Sequence, residues 1–257
     1  MKRLHPLTSP SRNRNREECP DAPLALDIIA TVESCYPDKF GIPRQPGLAP
    51  SASARLRLLP PFNQPDAVRG LEQFSHLWIS FIFHQSPLRW TPLVRPPRLG
   101  GNARIGVFAS RSTHRPNRLG LSLVALAGVE YDPGPVLLLK GHDLVDKTPV
   151  VDIKPYLPWA DSAAGACAGF APEPPEALTV HLTPGCERAL ADRADGAALR
   201  RLIMEVLAQD PRPAYRRHKA DARCYGVRLA DLDVRFRMQS IDGDTCVVVE
   251  ALIEEQT

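Results

Sequence analysis

The stretch LGLSLVALAGVEYDPGPVLLLKGHDLVD, residues 119–146, contains two segments rich in leucine and valine, separated by an Asp-Pro-Gly-Pro turn. Short apolar segments of this kind, bounded by proline and glycine, are typical of β-strands. We therefore predict two consecutive strands, at residues 119–132 and 135–146.

The N-terminal half contains four further segments with strand character: LALDIIATVE at 24–33, ARLRLLP at 54–60, HLWISFIFH at 76–84 and ARIGVFAS at 103–110. The segment at 76–84 is aromatic and β-branched, which predicts a strand buried on both faces. Only QPDAVRGLEQF, residues 64–74, predicts a helix. Because strands and helices do not alternate regularly and no G-x-G-x-x-G occurs, a doubly wound nucleotide-binding fold is not expected. The pattern favours a mainly β fold built on a small closed barrel.

The composition changes at DSAAGACAGFAPEPPEA, residues 161–177, which has the small residues and prolines of a linker. LTVHL then predicts a short strand, and Thr183 with Pro184 suits a helix start. A second helix is indicated by five apolar residues at helical spacing: Leu199, Leu202, Ile203, Val206 and Leu207. Apolar segments on both sides of the turn at 242–243 predict a β-hairpin. The predicted organisation is a disordered basic tail at 1–22, a barrel domain at 23–165, a linker at 166–177 and a small α+β domain at 178–257.

The overall composition is that of a globular protein, with 44% hydrophobic and 24% charged residues among 257. It contains no apolar run long enough to span a bilayer, and the N-terminus lacks the apolar core of a secretory signal. Six cysteines show neither C-x-x-C pairs nor zinc-ligand spacing. We therefore expect a cytoplasmic protein with reduced cysteines, no bound metal and no membrane partner.

One window of 57 residues, from Gln73 to Val129, contains no Asp or Glu, although the whole chain balances 32 basic against 29 acidic residues. Each arginine taken alone could simply face water. A surface of one sign over this length instead indicates binding of a polyanion, and the net charge of +3 favours a folded RNA loop or a nucleotide cofactor over long duplex DNA. The window holds seven arginines: Arg89, Arg95, Arg98, Arg104, Arg111, Arg115 and Arg118.

Different side chains flank this window. His84 and Gln85 end the aromatic strand, and Asp143, Asp146 and Asp152 follow the last leucine-rich one. Asp143 and Asp146 cannot point the same way on a regular strand, so we expect them at a strand end and turn. Two interpretations remain open: the aspartates cap turns, or carboxylates and backbone carbonyls surround a bound cation.

Several motifs, in this order, resemble the TsaA-like/TrmO family: PRQPGL, PFNQPDAVRGLEQFSHLW, HQ, VRPPRLGGNARIGVFASRS, RPNRLGLSLV, DLVDKTPVVDIKPYLP and LAQDPRPAY. The resemblance runs from about Leu24 to the C-terminal hairpin. It implies a single-sheet β-barrel tRNA methyltransferase that uses S-adenosylmethionine and works as a homodimer. The implied substrate is the anticodon stem-loop of tRNA carrying N6-threonylcarbamoyladenosine (t6A) 3′ of the anticodon, methylated on N6.

The resemblance also implies site residues by motif. The cofactor set is Pro43, Arg44, Gln45, His84, Gln85, Arg111, Leu121, Asp143, Leu144, Val145 and Asp146. The chain departs from the family pattern at His114, where an aromatic residue is usual, and at Arg118, where proline is usual. These departures concern the substrate side of the site.

For catalysis, methyl transfer to a urea-like nitrogen requires alignment of donor and acceptor and loss of a proton. We expect Asp146 to act as the base, with water as an alternative carrier, and Asn117 and Tyr156 to face the target nucleotide. Tyr215 is expected to stack on a base, or alternatively to close the C-terminal core. The predicted RNA contacts are Arg98, Arg104, Arg115, Arg118, Arg212, Tyr215 and Arg216.

Two other classes of function compete with a methyltransferase. A non-catalytic RNA-binding barrel explains the arginines but leaves the PRQ, HQ and DLVD motifs without a task. A metal-dependent hydrolase would use His76, His84 and His114 with the aspartates, but no H-x-H or H-E-x-x-H spacing supports it.

Overall fold

The structure is a computed structural model that describes residues 25–100, 102–213, 216, 221–241 and 243–254. The predicted tail at 1–22 and the predicted RNA contact Tyr215 lie outside the described residues. No helix in the described ranges is long and apolar enough to cross a membrane.

The N-terminal part is built on strands. In chain order they are β1 (Ala30–Ser34), β2 (Ser53–Leu58), β3 (His76–Ile82), β4 (Leu93–Val94), β5 (Ile105–Gly106), β6 (Leu119–Glu130), β7 (Val136–Lys140) and β8 (Pro149–Pro155). Six of them close into an antiparallel barrel in the order β1-β2-β7-β6-β3-β8. The prediction of a mainly β, single-sheet barrel is confirmed.

The barrel closes because alternate apolar side chains point into its interior. On β3, Leu77, Ile79 and Phe81 are buried, whereas the intervening Trp78 and Ser80 remain partly exposed. The prediction that this strand is buried on both faces is therefore wrong, since only the inner face is fully covered.

Three other predicted elements of the barrel half differ in the structure. The helix at 64–74 is two 3-10 turns, Pro65–Val68 and Leu71–Gln73, because Gly70 between them adopts a left-handed φ of 90°. The strand at 103–110 is reduced to β5 followed by a 3-10 turn. The strand at 135–146 ends at Lys140, where Gly141 has φ 63° and turns the chain. Residues 141–148 therefore form an irregular segment between β7 and β8.

The C-terminal part combines helices and strands: α1 (Pro158–Asp161), β9 (Val180–Leu182), α2 (Pro184–Ala191), α3 (Gly196–Ala208), β10 (Asp221–Leu229), β11 (Leu232–Ile241) and β12 (Asp244–Glu254). The sheet order is β10-β11-β12-β9, with β9 parallel to β12. The predicted cap is confirmed, because Thr183 Oγ1 accepts from Cys186 N and Pro184 occupies the first helical turn. We call residues 178–254 the C-terminal unit.

The segment between β1 and β2 packs into the core of the C-terminal unit, while the barrel interior forms a separate apolar core. Tyr36, Ala49 and Ala52, all in the segment between β1 and β2, are buried among Val206 and Val227 of the C-terminal unit. We call residues 35–52 the β1–β2 loop. Its packing brings the PRQ motif, which lies in this loop, against α3.

Candidate functional site

The β1–β2 loop brings PRQ to the rim of the barrel. Gly47 N donates to Gly141 O at 2.7 Å, and Gly141 N donates to Ala52 O at 2.8 Å, so the loop is tied to the end of β7. Gln45 Oε1 accepts a hydrogen bond from Arg111 Nη1. Two motifs that are 66 residues apart in the chain are thus in direct contact.

The DLVD segment is held beside the end of β1. Ser34 N donates to Asp146 Oδ1 at 2.9 Å, and Ser34 Oγ donates to Leu144 O at 2.7 Å. Asp146 N donates to Tyr36 O at 2.9 Å. The Leu144 side chain is in the barrel core, so a ligand would meet this residue through its backbone, while Val145 is partly exposed.

Asp143 lies in the most unusual electrostatic environment of the predicted set. Burial raises the pKa of Asp143, while a 2.6 Å hydrogen bond from Ser122 Oγ and the charge of Arg111 act to lower it. Ser122 neighbours Leu121 on β6, whose side chain is half exposed. Asp143, Arg111 and Gln45 therefore lie together at the rim, whereas the Leu121 side chain points to the opposite face of β6 from Ser122, and the assignment of all four as donor contacts stays a prediction.

His84 and Gln85 join the same rim from the end of β3. Lys39 Nζ donates to Gln85 O at 2.9 Å, which links this motif to the β1–β2 loop. Burial lowers the pKa of His84, the backbone of Ile82 raises it, Lys39 lowers it and Asp146 raises it, and the net lowering favours the neutral ring. Its Nδ1 is buried without a hydrogen-bond partner in the described part of the chain. A ligand at this rim could satisfy that nitrogen.

A cavity of about 220 Å³ opens between the β1–β2 loop and the C-terminal unit. Lys39, Pro43 and Arg44 line one side, and Gln209 and Asp210 line the other. Gln209 Oε1 is buried and has no partner among the described residues. The sequence analysis missed Lys39 and Gln209 as site residues. The only signal for Gln209 was its position in the LAQDPRPAY motif.

Asn117 is exposed and close to His84. Phe83 N donates to Arg118 O at 2.8 Å, which places the turn containing Asn117 beside the end of β3. Arg118 itself has φ 51°, a value that the ring of proline excludes, so the usual proline of the family would require another turn geometry.

Within one chain Tyr156 lies away from the rim that holds His84, so its expected contact with the target nucleotide stays a prediction. Tyr156 N donates to His76 O at 3.0 Å, and its ring contacts Trp78 at a centroid distance of 6.0 Å. Six residue steps along β3 separate His76 from Ile82, or about 20 Å at ~3.3 Å per residue. Tyr156 is therefore at the opposite end of β3 from His84.

The distance along β3 also argues against a metal site formed by His76 and His84. His76 and His84 cannot share one ion across the length of β3. No group of three or more His, Cys, Asp or Glu positioned to hold a metal ion occurs in the ranges that the structure describes.

The predicted RNA-contacting arginines fall into two groups. Arg98 and Arg104 are exposed, as a phosphate contact requires, and Arg118 and Arg216 are partly exposed. Arg115 is partly buried, donates to Ser110 O at 2.8 Å and lies over the Phe108 ring at 5.7 Å, so its guanidinium already organises its own segment.

The structure corrects the predicted RNA contact at Arg212. Its side chain is 0% exposed and forms an ion pair with Asp210 at 2.8 Å. A guanidinium that is buried and neutralised by a carboxylate cannot reach a phosphate at the surface, so the prediction of an RNA contact there is wrong. Both residues turn into the protein at the end of α3.

The fold and the rim define a β-barrel protein with a cavity between one of its loops and an α+β unit. Residues 31–162 match the family model of the tRNA-methyltransferase O N-terminal domain, and residues 175–254 match that of the TrmO C-terminal domain. The chain belongs to the tRNA-methyltransferase O (TrmO) family.

Relatives and solved structures agree with this membership. The chain is 53% identical over 217 residues to the tRNA (adenine(37)-N6)-methyltransferase of Escherichia coli K12, covering 83% of this chain and 92% of that protein. It is 51% identical to a putative S-adenosylmethionine-dependent methyltransferase, RcsF, of Pseudomonas aeruginosa, covering 82% and 91%. The crystal structure of TrmO from Pseudomonas aeruginosa superposes with a TM-score of 0.74 at 41% identity, covering 90% of this chain and 99% of that one.

Proposed function

We propose that this protein is an S-adenosylmethionine-dependent tRNA methyltransferase that methylates N6 of t6A at position 37. The printed activities of the relatives support the reaction. The observation that carries the proposal is the convergence at one rim of Gln45, His84, Arg111, Asp143 and Asp146, which come from distant parts of the chain.

The rim suits the chemistry of this methyl donor. Asp143 and Asp146 supply negative charge for a sulfonium and an ammonium group, and Arg44 and Arg111 supply positive charge for a carboxylate. The unpartnered Nδ1 of neutral His84 can hydrogen-bond a ligand without adding a positive charge beside the sulfonium. When bound, the donor supplies an electrophilic methyl group.

We further propose that Asp146 takes the proton that leaves the substrate nitrogen. Ser34 N holds Asp146 Oδ1 at 2.9 Å, which orients the carboxylate and leaves Oδ2 to accept a proton. The remaining acceleration comes from holding donor and acceptor in line between segments fixed by hydrogen bonds. An Asp146→Asn protein that binds the donor normally and keeps full turnover would remove this role.

The arginine segment, residues 86–118, is proposed to bind the anticodon stem-loop. Arg98 and Arg104 are exposed on it, and Asn117 lies where it meets the rim. A modified base in a single-stranded loop can be splayed into the cleft at low cost. All seven arginines of the acid-free window lie in this segment, and Arg118 is its last residue.

We also propose a homodimer in the cytoplasm without metal. Large apolar side chains on the arginine segment are exposed, Leu88 at 79% and Phe108 at 72%, and exposed apolar patches mark association sites. A molar mass in solution equal to one chain, measured by light scattering at micromolar concentration, would contradict the dimer.

The test of the whole proposal is methylation of purified tRNA. The protein with S-adenosylmethionine should add one methyl mass to t6A in tRNA and none to tRNA that carries unmodified adenosine at the same position. Nucleoside mass spectrometry reads the product, and calorimetry reads donor binding. Binding of tRNA without binding of donor would favour the alternative, a non-catalytic RNA-binding barrel.

A further inference from the structure

The β1–β2 loop is fastened to the C-terminal unit by a carboxylate. Ser51 N donates to Glu205 Oε2 at 2.7 Å, and Ser51 Oγ donates to Glu205 Oε1 at 2.8 Å. Both oxygens of one side chain on α3 thus hold one residue of the loop. Hydrogen bonds to an ionised acceptor are about twice as strong as neutral ones.

A second set of contacts fastens the start of the same loop. Arg228 of β10 donates through Nε and Nη2 to Asp38 at 2.6 and 2.8 Å. Ala230 N donates to Cys35 O at 2.9 Å. Gly41 lies so close to β10 that a Cβ there would be 2.2 Å from Val227 Cγ2.

The PRQ motif lies between the Asp38–Arg228 ion pair and the Ser51–Glu205 hydrogen bonds. The β1–β2 loop has no helix or strand of its own beyond Ser34 and before Ser53, so its conformation depends on what it packs against. Eighteen residues held only at their ends would populate many conformations, and ordering them would reduce ligand affinity. Helix α3 provides Glu205 for the fastening and Val206 for the cavity wall.

We propose that the C-terminal unit preorganises the donor site, and that Glu205 is a positioning residue for donor binding through Ser51. This inference rests on the proposed function, because it takes PRQ to contact S-adenosylmethionine. The C-terminal unit then has a task in cofactor binding that is separate from any contact with tRNA.

The test is Glu205→Gln, which keeps the shape of the side chain and removes its charge. One of its two oxygens becomes an NH2 group, so the contact with Ser51 Oγ can persist only with the hydroxyl accepting, and neither hydrogen bond with Ser51 is then made to a charged group. If the binding conformation is then populated about one time in ten, the Kd for S-adenosylmethionine rises about tenfold. At saturating donor, kcat and the KM for tRNA should stay within about twofold of the parent protein.

The matched control is Glu187→Gln. Glu187 pairs with Arg200 at 2.9 Å between α2 and α3, so the same chemical change is made to an ion pair inside the C-terminal unit. We expect this variant to bind the donor as the parent does. A tenfold rise in the Kd for S-adenosylmethionine in both variants would overturn the inference, because the effect would then be general. An unchanged Kd in both variants would overturn it as well, because Glu205 would then have no effect on donor binding.

Ser51→Ala provides a second, milder variant should Glu205→Gln fold poorly. It removes only the Oγ hydrogen bond, so the Kd should rise about threefold, and the double variant should be less than additive. Additive losses would overturn the coupling. If the parent protein itself binds no S-adenosylmethionine, the proposed function fails, and that result is distinct from all of these.

Discussion

The β1–β2 loop and the arginine segment are both long connections at the same rim, yet they are built differently. The loop is held through Ser51 and Asp38 and packed on α3. The arginine segment exposes Leu88, Arg98 and Phe108, and its regular structure, among the residues described, consists of short 3-10 turns and the two-residue strands β4 and β5. A small donor needs a preformed site, because ordering the site on binding reduces affinity. A folded polynucleotide needs an accessible, positively charged surface.

The largest expected effect is on the donor side. Asp143→Asn should lower kcat/KM for S-adenosylmethionine about 100-fold, since it removes a partly buried carboxylate that accepts from Ser122 and lies beside Arg111 at the rim. Steady-state methylation at saturating tRNA measures it. Asp152→Asn is the control, because Asp152 is exposed on β8 and should have little effect. An equal decrease of kcat/KM in both variants would show that Asp143 has no special role in donor binding.

A pair of glycines tests the packing difference between the two regions. Gly41 and Gly100 both have left-handed φ, of 93° and 69°, so alanine strains the backbone at each. Only at Gly41 would the new Cβ meet Val227, and nothing lies within 4 Å at Gly100. We expect Gly41→Ala to lower the free energy of unfolding by about 3 kcal/mol and Gly100→Ala by about 1 kcal/mol. Urea denaturation compares them, and equal costs would mean that the loop is not tightly packed.

The pH dependence of the unfolding free energy tests the packing of the β1–β2 loop through His142. The ring of His142 contacts Tyr36 of this loop and is neutral at pH 7. Burial lowers the pKa of His142 from 6.5 to about 4, so between these values the unfolded chain binds the additional proton. Stability should therefore fall as the pH drops, by about 2 kcal/mol between about pH 7.5 and about pH 5.

His142→Asn is the matched variant, because its amide oxygen can accept from Leu144 N as His142 Nδ1 does at 3.2 Å. The pH dependence of its unfolding free energy should be weaker by about the same 2 kcal/mol. An unchanged pH dependence would show that His142 is not the group that titrates.

The smallest effect is expected on the arginine segment. Arg104→Ala should raise the KM for tRNA about threefold and reduce the slope of log affinity against log salt by about one phosphate contact. The Kd for S-adenosylmethionine should not change. Arg57→Ala, on a strand of the barrel and paired with Glu33 at 2.8 Å, controls for loss of a surface arginine. An equal loss of tRNA affinity there would argue against a localised RNA surface.

Sequence pattern was sufficient where neighbouring residues decide the structure. The strands β2, β3 and β6 lie where alternating or β-branched segments predicted them, and Thr183 caps α2 as its local sequence indicated. The pattern failed at residues 64–74, where Pro65 and Asp66 suggested the start of a helix and a left-handed Gly70 divided the segment into two 3-10 turns. The six-strand closing order could not be predicted from periodicity, which does not specify partners.

At the candidate site, too, some features were predicted from the sequence and others were not. The residue types of PRQ, HQ and DLVD were enough to name a cofactor set by resemblance, but their assignment as donor contacts stays a prediction. Lys39 and Gln209 were missed because the packing of distant segments brings them to the cavity, and the exposure expected for Arg212 was wrong because its burial depends on how the end of α3 packs into the protein.

The amino-acid sequence alone determined the β-rich character, the acid-free arginine surface and the resemblance to the TrmO family, because composition, short-range periodicity and motif order are properties of adjacent residues. Only the tertiary structure decided that Arg212 is buried against Asp210, that Tyr156 is at the far end of β3 and that Glu205 holds the β1–β2 loop. The physical reason is that burial and long-range hydrogen bonds are set by residues brought together when the barrel closes and the C-terminal unit packs against the β1–β2 loop.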